Sequence, residues 1–255
     1  ETEHALLSSS ASPIVLLRRK QKDGALKQEY YPADNVVGER NPLFGVMLPY
    51  TPLHALLLKE VDRPIVATSG NMSDDPIIIN EKEALARLAD VADLFLVHNR
   101  PIVRPMDDSI VRMTSQGPLI LRRARGYAPF PVRIPDGAHT LLAVGAHQKN
   151  TVAMGIGEDG RVSQHIGDLG TVATGKSFAH AITDLKMTFR TQPDLVVSDL
   201  HPDYASTEWA EESGMPIVRV QHHVAHVLAV AGEHGLTGNY LGVAMDGTGY
   251  GLDKT

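Results

Sequence analysis

The sequence predicts an α/β chain of two domains, and three observations carry that reading. Residues 128–140 hold three prolines and no periodic pattern, the signature of a linker. A boundary near 135 gives domains over 1–134 and 135–255. Before the linker, short apolar runs alternate with helical patterns. After it, three strand-like runs joined by tight turns give way to alternating helix and strand.

The elements of the first domain follow in order. Pro13–Leu17 is a short apolar strand. Thr51 and Pro52 form an N-cap and first helical residue, opening a helix over Leu53–Val61. Pro64–Thr68 reads as a strand running into the polar turn Ser69-Gly70-Asn71. Asn80 caps a helix over Glu81–Asp90, with Ala84, Leu85 and Leu88 on one side. Leu94–Val97, Ser109–Met113 and Pro118–Arg122 complete the strands.

In the second domain the three hairpin strands are Leu141–Gly145, Thr151–Gly157 and Arg161–Gly167, with Glu158-Asp159-Gly160 as a turn signal. A helix follows over Lys176–Arg190, with Phe178, Ile182, Leu185 and Phe189 at helical spacing. Then come strand Leu195–Ser198, helix Asp203–Ser213, strand Ile217–Val220, helix His222–His234 and strand Leu241–Met245. This order is that of an actin/Hsp70-like ATPase subdomain, an analogy of fold only.

Composition narrows the chemistry. An apolar fraction of 43% supports a buried core, and a net charge of −6 argues against a nucleic-acid wrapper. Without cysteine there is no disulfide and no thiolate metal site, so any metal must be held by His and Asp. That donor set suits zinc, iron or another divalent ion. No apolar run is long enough to span a membrane and no signal peptide precedes the domain, so the sequence predicts a cytoplasmic chain. Glu1 without a methionine, and Thr255 after a glycine-rich turn, suggest a fragment of a longer protein.

The densest chemistry lies at 221–251. His222 and His226 are four apart, so on a helix they share a face with Cβ atoms about 5–6 Å apart, close enough for one ion. Spacing alone selects little: 12 histidines in 255 residues yield about 0.6 such pairs by chance. Context strengthens the pair. The helix starts where a strand ends, the usual ligand edge of an open α/β sheet. Asp246 ends the next strand and is a candidate third ligand. Gly247, Gly249 and Gly251 then allow close backbone approach to a phosphate. Val224, Ala225, Val227, Leu228 and Val230 are expected in the core, and His223 points off the metal face.

Four motifs, at 163–169 (Ser-Gln-His-Ile-Gly-Asp-Leu), 199–204 (Asp-Leu-His-Pro-Asp-Tyr), 221–226 (Gln-His-His-Val-Ala-His) and 243–251, resemble the carbamoyltransferase domain of the hydrogenase maturation family, HypF. That domain is similar to the ATPase-fold enzyme of tRNA threonylcarbamoylation. The resemblance implies a divalent metal, zinc or iron, on His222, His226 and Asp246, with a further family Asp beyond Thr255. It implies that the metal orients a nucleotide phosphate. The turn 145–151 lies where this fold places a phosphate loop, with Lys149 as its cation and, beside Asp246, a catalytic candidate. Asp168, Asp199, His201 and Asp203 are cleft candidates without an assigned role.

In the first domain, the segments 45–54 and 67–73 resemble the YrdC-like domain of the same family, and its Ser-x-Asn pair maps onto Ser69 and Asn71. The family's upstream Lys and Arg would precede Glu1. Downstream, Arg100, Arg104, Arg112, Arg122, Arg123 and Arg125 are interrupted by Asp107-Asp108-Ser109, which matches a family block. Arg forks fit phosphate oxygens, so Arg104, Arg112 and Arg122 join Ser69, Asn71, Gly247 and Gly249 as nucleotide-binding candidates. RNA binding is disfavoured because Tyr127 and Phe130 are the only nearby rings for stacking.

The YrdC-like domain comes first, as in hydrogenase maturation enzymes and unlike antibiotic O-carbamoyltransferases. The implied reaction uses carbamoyl phosphate and Mg-ATP to form carbamoyl adenylate. It then carbamoylates the C-terminal Cys of a HypE-like acceptor, the source of the cyanide ligand. The competing readings are a tRNA threonylcarbamoylation-type or RNA-binding protein, and an antibiotic O-carbamoyltransferase.

Overall fold

The computed structural model describes residues 2–18, 41–135, 137, 139–247 and 250–251. They fall into two compact units: Glu1–Ser69 with Asp107–Tyr127, and Gly70–Met106 with Ala128–Thr255.

The first unit is built on a four-stranded sheet. Its elements are α1 (Thr2–Leu7), β1 (Ile14–Arg18), β2 (Leu43–Val46), α2 (Pro52–Val61), β3 (Ile110–Thr114) and β4 (Gly117–Arg122). The sheet order is β2-β1-β3-β4, with β1 and β3 parallel and both outer pairings antiparallel. Val15 and Val111 are fully buried at its centre. The Thr51 hydroxyl accepts the His54 backbone N–H at 3.1 Å, so α2 starts at the expected cap, and Asp62 ends it in the left-handed region. The strand expected at Pro64–Thr68 is not formed. Ile65 and Val66 are exposed there, with no ladder partner among the described residues.

The second unit carries α3 (Glu81–Arg87), β5 (Pro131–Arg133), β6 (Leu141–Ala143), β7 (Ala153–Ile156), β8 (Asp159–Val162), α4 (Val172–Phe189), β9 (Leu195–Asp199), α5 (Ala205–Glu212), β10 (Ile217–Val220) and α6 (His222–Glu233). The sheet order is β10-β9-β6-β7-β8-β5. Strands β10, β9 and β6 are parallel, and β6, β7, β8 and β5 are successively antiparallel. This is a mixed α/β sheet of the ATPase-fold order expected. Leu142, Val144, Met154 and Val196 form its buried face, covered by Phe178, Ile182 and Leu185 of α4 and Ala210 of α5.

Several boundaries depart from expectation. Residues 131–133 of the supposed linker form β5, an edge strand, where Pro131 costs no interior ladder bond. The hairpin tip is Gly157-Glu158, two residues joining Ile156 to Asp159, because Gly157 supplies the positive φ of 58° that Glu158-Asp159-Gly160 would supply only at its end. α4 begins before Lys176, at a capping box in which Thr171 and Thr174 satisfy each other's backbone N–H groups. α3 stops at Arg87 rather than Asp90, with Leu88 as its cap.

Two further strands are missing. Leu94–Val97 and Leu241–Met245 are apolar but pair with nothing among the described residues, and Leu94 and Leu241 are 90% and 93% exposed. An apolar pattern makes a strand only when a neighbour offers an edge. The predicted core face of α6 is also corrected. Val224, Leu228 and Val230 are about half exposed, Ala225 is exposed, and Ala231 is the buried residue of the helix. Hydrophobicity specified the face, but the described residues leave Val224, Leu228 and Val230 largely uncovered.

The segment 70–106 is anchored on α4. The Thr171 hydroxyl donates to Asp75 Oδ1 at 3.1 Å, and Arg87 pairs with the same carboxylate. Further along, Arg104 pairs with Asp184 of α4 at 3.4 Å.

Candidate metal centre

Parallel pairing brings the carboxyl ends of β6, β9 and β10 to one edge. In register, Val220 of β10 lies beside Asp199 of β9. One residue beyond Val220, Gln221 is the N-cap and α6 begins at His222. Helical spacing then sets His222 and His226 with ring centroids 4.8 Å apart and planes at 81°. Asp246 arrives on the extended segment 241–246. That segment passes so close to α6 that a Cβ on Gly242 would meet Val227 at 2.3 Å. Glycine there is what lets Asp246 reach the histidines.

The three donors converge. His222 Nε2 lies 3.0 Å and His226 Nε2 3.5 Å from Asp246 Oδ2. One ligand atom from each residue falls within 4.8 Å of the other two. Two imidazole nitrogens and a carboxylate oxygen on one point fit zinc, iron or a similar divalent ion. Asp246 Oδ1 accepts the Gly247 N–H at 2.8 Å. That bond first, and the nearby His222, His226 and His223 next, hold the carboxyl below its ordinary pKa, against the opposing effect of burial. The carboxylate is therefore ionised and ready to ligate. A cleft of about 380 Å³ opens beside it, lined by His226, Val227, Tyr240, Met245 and Asp246 among others.

Asp199 had no expected role, yet it is the buried partner of this centre. Its Oδ2 lies 2.6 Å from His222 Nδ1, and its Oδ1 accepts the His201 backbone N–H at 2.9 Å. The signal was present in the sequence: an aspartate ending the strand beside the one that leads into the histidine helix.

Around these groups is a set of rings. His201 stacks on Tyr204 at 4.2 Å between centroids, with ring planes nearly parallel. Tyr250, His147 and His222 lie 5.2 Å from His201, 5.8 Å from Tyr204 and 6.4 Å from Tyr204 respectively. Burial first, then the charges of Asp199 and Asp246, push the Tyr204 phenol up. The Asp203 N–H donates to His201 Nδ1 at 3.2 Å, and His223 Nδ1 lies 3.4 Å from Gln221 Nε2.

The loop after β6 is tightly held. Gly145 has φ of 68° and would place a Cβ 2.5 Å from the Thr151 carbonyl oxygen. Asn150 is buried, and its Nδ2 donates to the Val144 and Ala146 carbonyls. Lys149 sits at φ of 47°, its backbone N–H donating to Asp168 Oδ1 at 2.7 Å while its side chain is exposed.

The remaining candidates are scattered. Ser69 is exposed at the end of one stretch of the first unit, and Asn71 belongs to the second. Asn71 Nδ2 is engaged with the Met72 and Asp75 carbonyls in its own turn. Arg104 pairs with Asp184, Arg112 is exposed on β3, and Arg122 ends β4 opposite Ile110. Gly247 is exposed with open space where a Cβ would stand, and Gly249 lies outside the described residues. Arg125 is a structural clamp. It bonds Asp108 and the carbonyls of Ala11 and Ser12, and it lies 3.4 Å over the Tyr50 ring. Buried Ser109 bridges the Arg125 carbonyl and the Ala124 N–H.

Known proteins match both parts of the chain. The family model described as HypF Kae1-like domain covers residues 136–233, and the Sua5/YciO/YrdC model, described as telomere recombination, covers 1–124. Carbamoyltransferase HypF of Synechocystis sp. is 50% identical over 255 residues, which is 99% of this chain and 32% of that protein. Carbamoyltransferase HypF2 of Cupriavidus necator is 40% identical, over 98% of this chain and 33% of its own length. A crystal structure of full-length HypF in a phosphate- and nucleotide-bound form superposes with a TM-score of 0.87 at 41% identity, over 99% of this chain and 39% of that one. The structure of HypF from T. kodakarensis gives 0.88 at 35%, over 100% and 33%. The chain spans about a third of the length of the curated relatives it matches.

Proposed function

The chain belongs to the HypF carbamoyltransferase family, and on that premise we propose that it carries most of an adenylate-forming domain, 1–134, and the start of a carbamoyl-transfer domain, 135–255. The first joins carbamate, released from carbamoyl phosphate by hydrolysis, to the α-phosphate of ATP: an O–P bond forms, the bond to the β-phosphate breaks, and pyrophosphate leaves. The second passes the carbamoyl group from carbamoyl adenylate to the C-terminal cysteine of a HypE-like acceptor. The acceptor thiolate attacks the carbamoyl carbon, a C–S bond forms, the C–O bond to the nucleotide phosphate breaks, and AMP leaves.

One observation carries the reading: His222, His226 and Asp246 converge at the carboxyl edge of an ATPase-order sheet. Their Nε2, Nε2 and Oδ2 atoms would hold the divalent ion. When bound, that ion supplies a Lewis acid and a template for the nucleotide phosphate. The loop 145–151, with Lys149 at its tip, suits a phosphate through its charge and its fixed backbone. Ser69, Asn71, Arg104, Arg112, Arg122, Gly247 and Gly249 are the proposed nucleotide contacts. No helix of the described residues is long and apolar enough to cross a membrane, and a cytoplasmic site of action goes with this reading.

The test uses the intact protein. Changing His222→Ala together with His226→Ala abolishes carbamoyl transfer to the acceptor. Exchange of pyrophosphate into ATP, dependent on carbamoyl phosphate, persists. Transfer that survives the double change overturns the metal assignment.

A further inference from the structure

We propose that Asp199 is a positioning residue that fixes the tautomer of His222, so that Nε2 is the nitrogen available to the ion. The inference rests on the metal reading of His222, His226 and Asp246. Asp199 lies at the end of β9 with a side chain only 5% exposed. A carboxylate so enclosed must be paired, and both of its oxygens are. Oδ1 takes the backbone N–H of His201 at 2.9 Å, and Oδ2 faces His222 Nδ1 at 2.6 Å. An ionised carboxylate only accepts, so Nδ1 must carry the proton. With Nδ1 engaged by Asp199, Nε2, the atom facing Asp246, is the nitrogen whose lone pair is left for an ion. Partners of this kind set ring orientation and raise ligand basicity.

His226 differs. Its side chain is 57% exposed, and its one ion-pair partner among the described residues is Asp246 itself. The two ligands are therefore unequal: one is locked by the strand beneath it and the other completes the site.

The His201 N–H makes this testable by an isosteric change. In Asp199→Asn, that backbone donor claims the amide oxygen, so the amide NH2 is turned toward His222 Nδ1. Nδ1 must then accept, the ring proton moves to Nε2, and ligation there is blocked. Asp199→Ala removes the lock without imposing the wrong tautomer. The intact protein is titrated with zinc against a chromophoric chelator. Wild type binds most tightly, Asp199→Asn is weakened about 10–100-fold, and Asp199→Ala is weakened no more than Asn. A role in packing alone predicts the reverse order, with the isosteric Asn mild and Ala worse, and that result overturns the proposal. Nitrogen-15 histidine spectra of the metal-free protein give a second readout. The His222 resonance, assigned by its loss in His222→Gln, shows a proton on Nδ1 in wild type and none on Nδ1 in Asp199→Asn. An unchanged tautomer overturns the inference even if both proteins unfold at the same temperature. Wild type with Nδ1–H but no zinc affinity overturns the metal reading instead, and this inference with it.

Discussion

Single residues decide where this chain can bend and what it can hold. Gly145 is the clearest case, with a positive φ and no room for a methyl group beside the Thr151 carbonyl. Gly145→Ala is expected to cost at least about 1–3 kcal/mol from backbone strain, seen as a lowered melting temperature. It should also disturb the Lys149–Asp168 bond in the same loop. At this scale the sequence was legible where chemistry is local. The His pair at four-residue spacing and Asp246 before its glycine came together as expected. Asp199 remained without a role because its meaning depends on His222, at the start of a helix 23 residues later in the chain, and only the parallel pairing of β9 with β10 brings the two together. Arg125, one of six arginines in a cationic run, could not be told apart from the others until its carbonyl and ring partners were visible.

Elements are held by their ends. α4 starts at the reciprocal Thr171–Thr174 cap, and the same Thr171 hydroxyl reaches Asp75. Thr171→Ala is expected to lower stability by about 1 kcal/mol, read from chemical denaturation. The bond from Arg87, then that from Thr171, holds the Asp75 carboxyl below its ordinary pKa. The sign follows from linkage: a depressed carboxyl adds stability above its unfolded value and loses it as pH falls through the folded one. The gap in melting temperature between wild type and Asp75→Asn should therefore be full at neutral pH and close below 3.8. A gap that widens in acid contradicts this. Capping residues made α2 and α3 easy to locate, since Thr51 and Asn80 announce their helices. Strands at 64–68, 94–97 and 241–245 were misread because alternation and apolarity describe only half of a ladder, and the other half is a neighbour.

Across the whole molecule, burial is uneven. Leu142 lies in the closed core beneath α4 and α5, and Leu142→Ala should cost about 2–5 kcal/mol in stability. Leu228 and Met245 are about half and almost wholly exposed. Replacing both with Gln should reduce binding of a hydrophobic dye while shifting stability by only about 0.5 kcal/mol each. The sheet order was readable in outline from the sequence, three hairpin strands followed by parallel ones, but β5 was hidden by the prolines around it. The sheet that positions the centre ends at β10, while the third donor arrives much later in the chain, on a segment that belongs to no strand. Synthesis therefore exposes the frame before Asp246 exists. A nascent chain can close its core while still unable to capture an ion, and a chain ending before Asp246 should do the same indefinitely. On the proposed metal reading, ion uptake therefore separates molecules that have merely closed their core from those in which the segment bearing Asp246 has come to rest on α6.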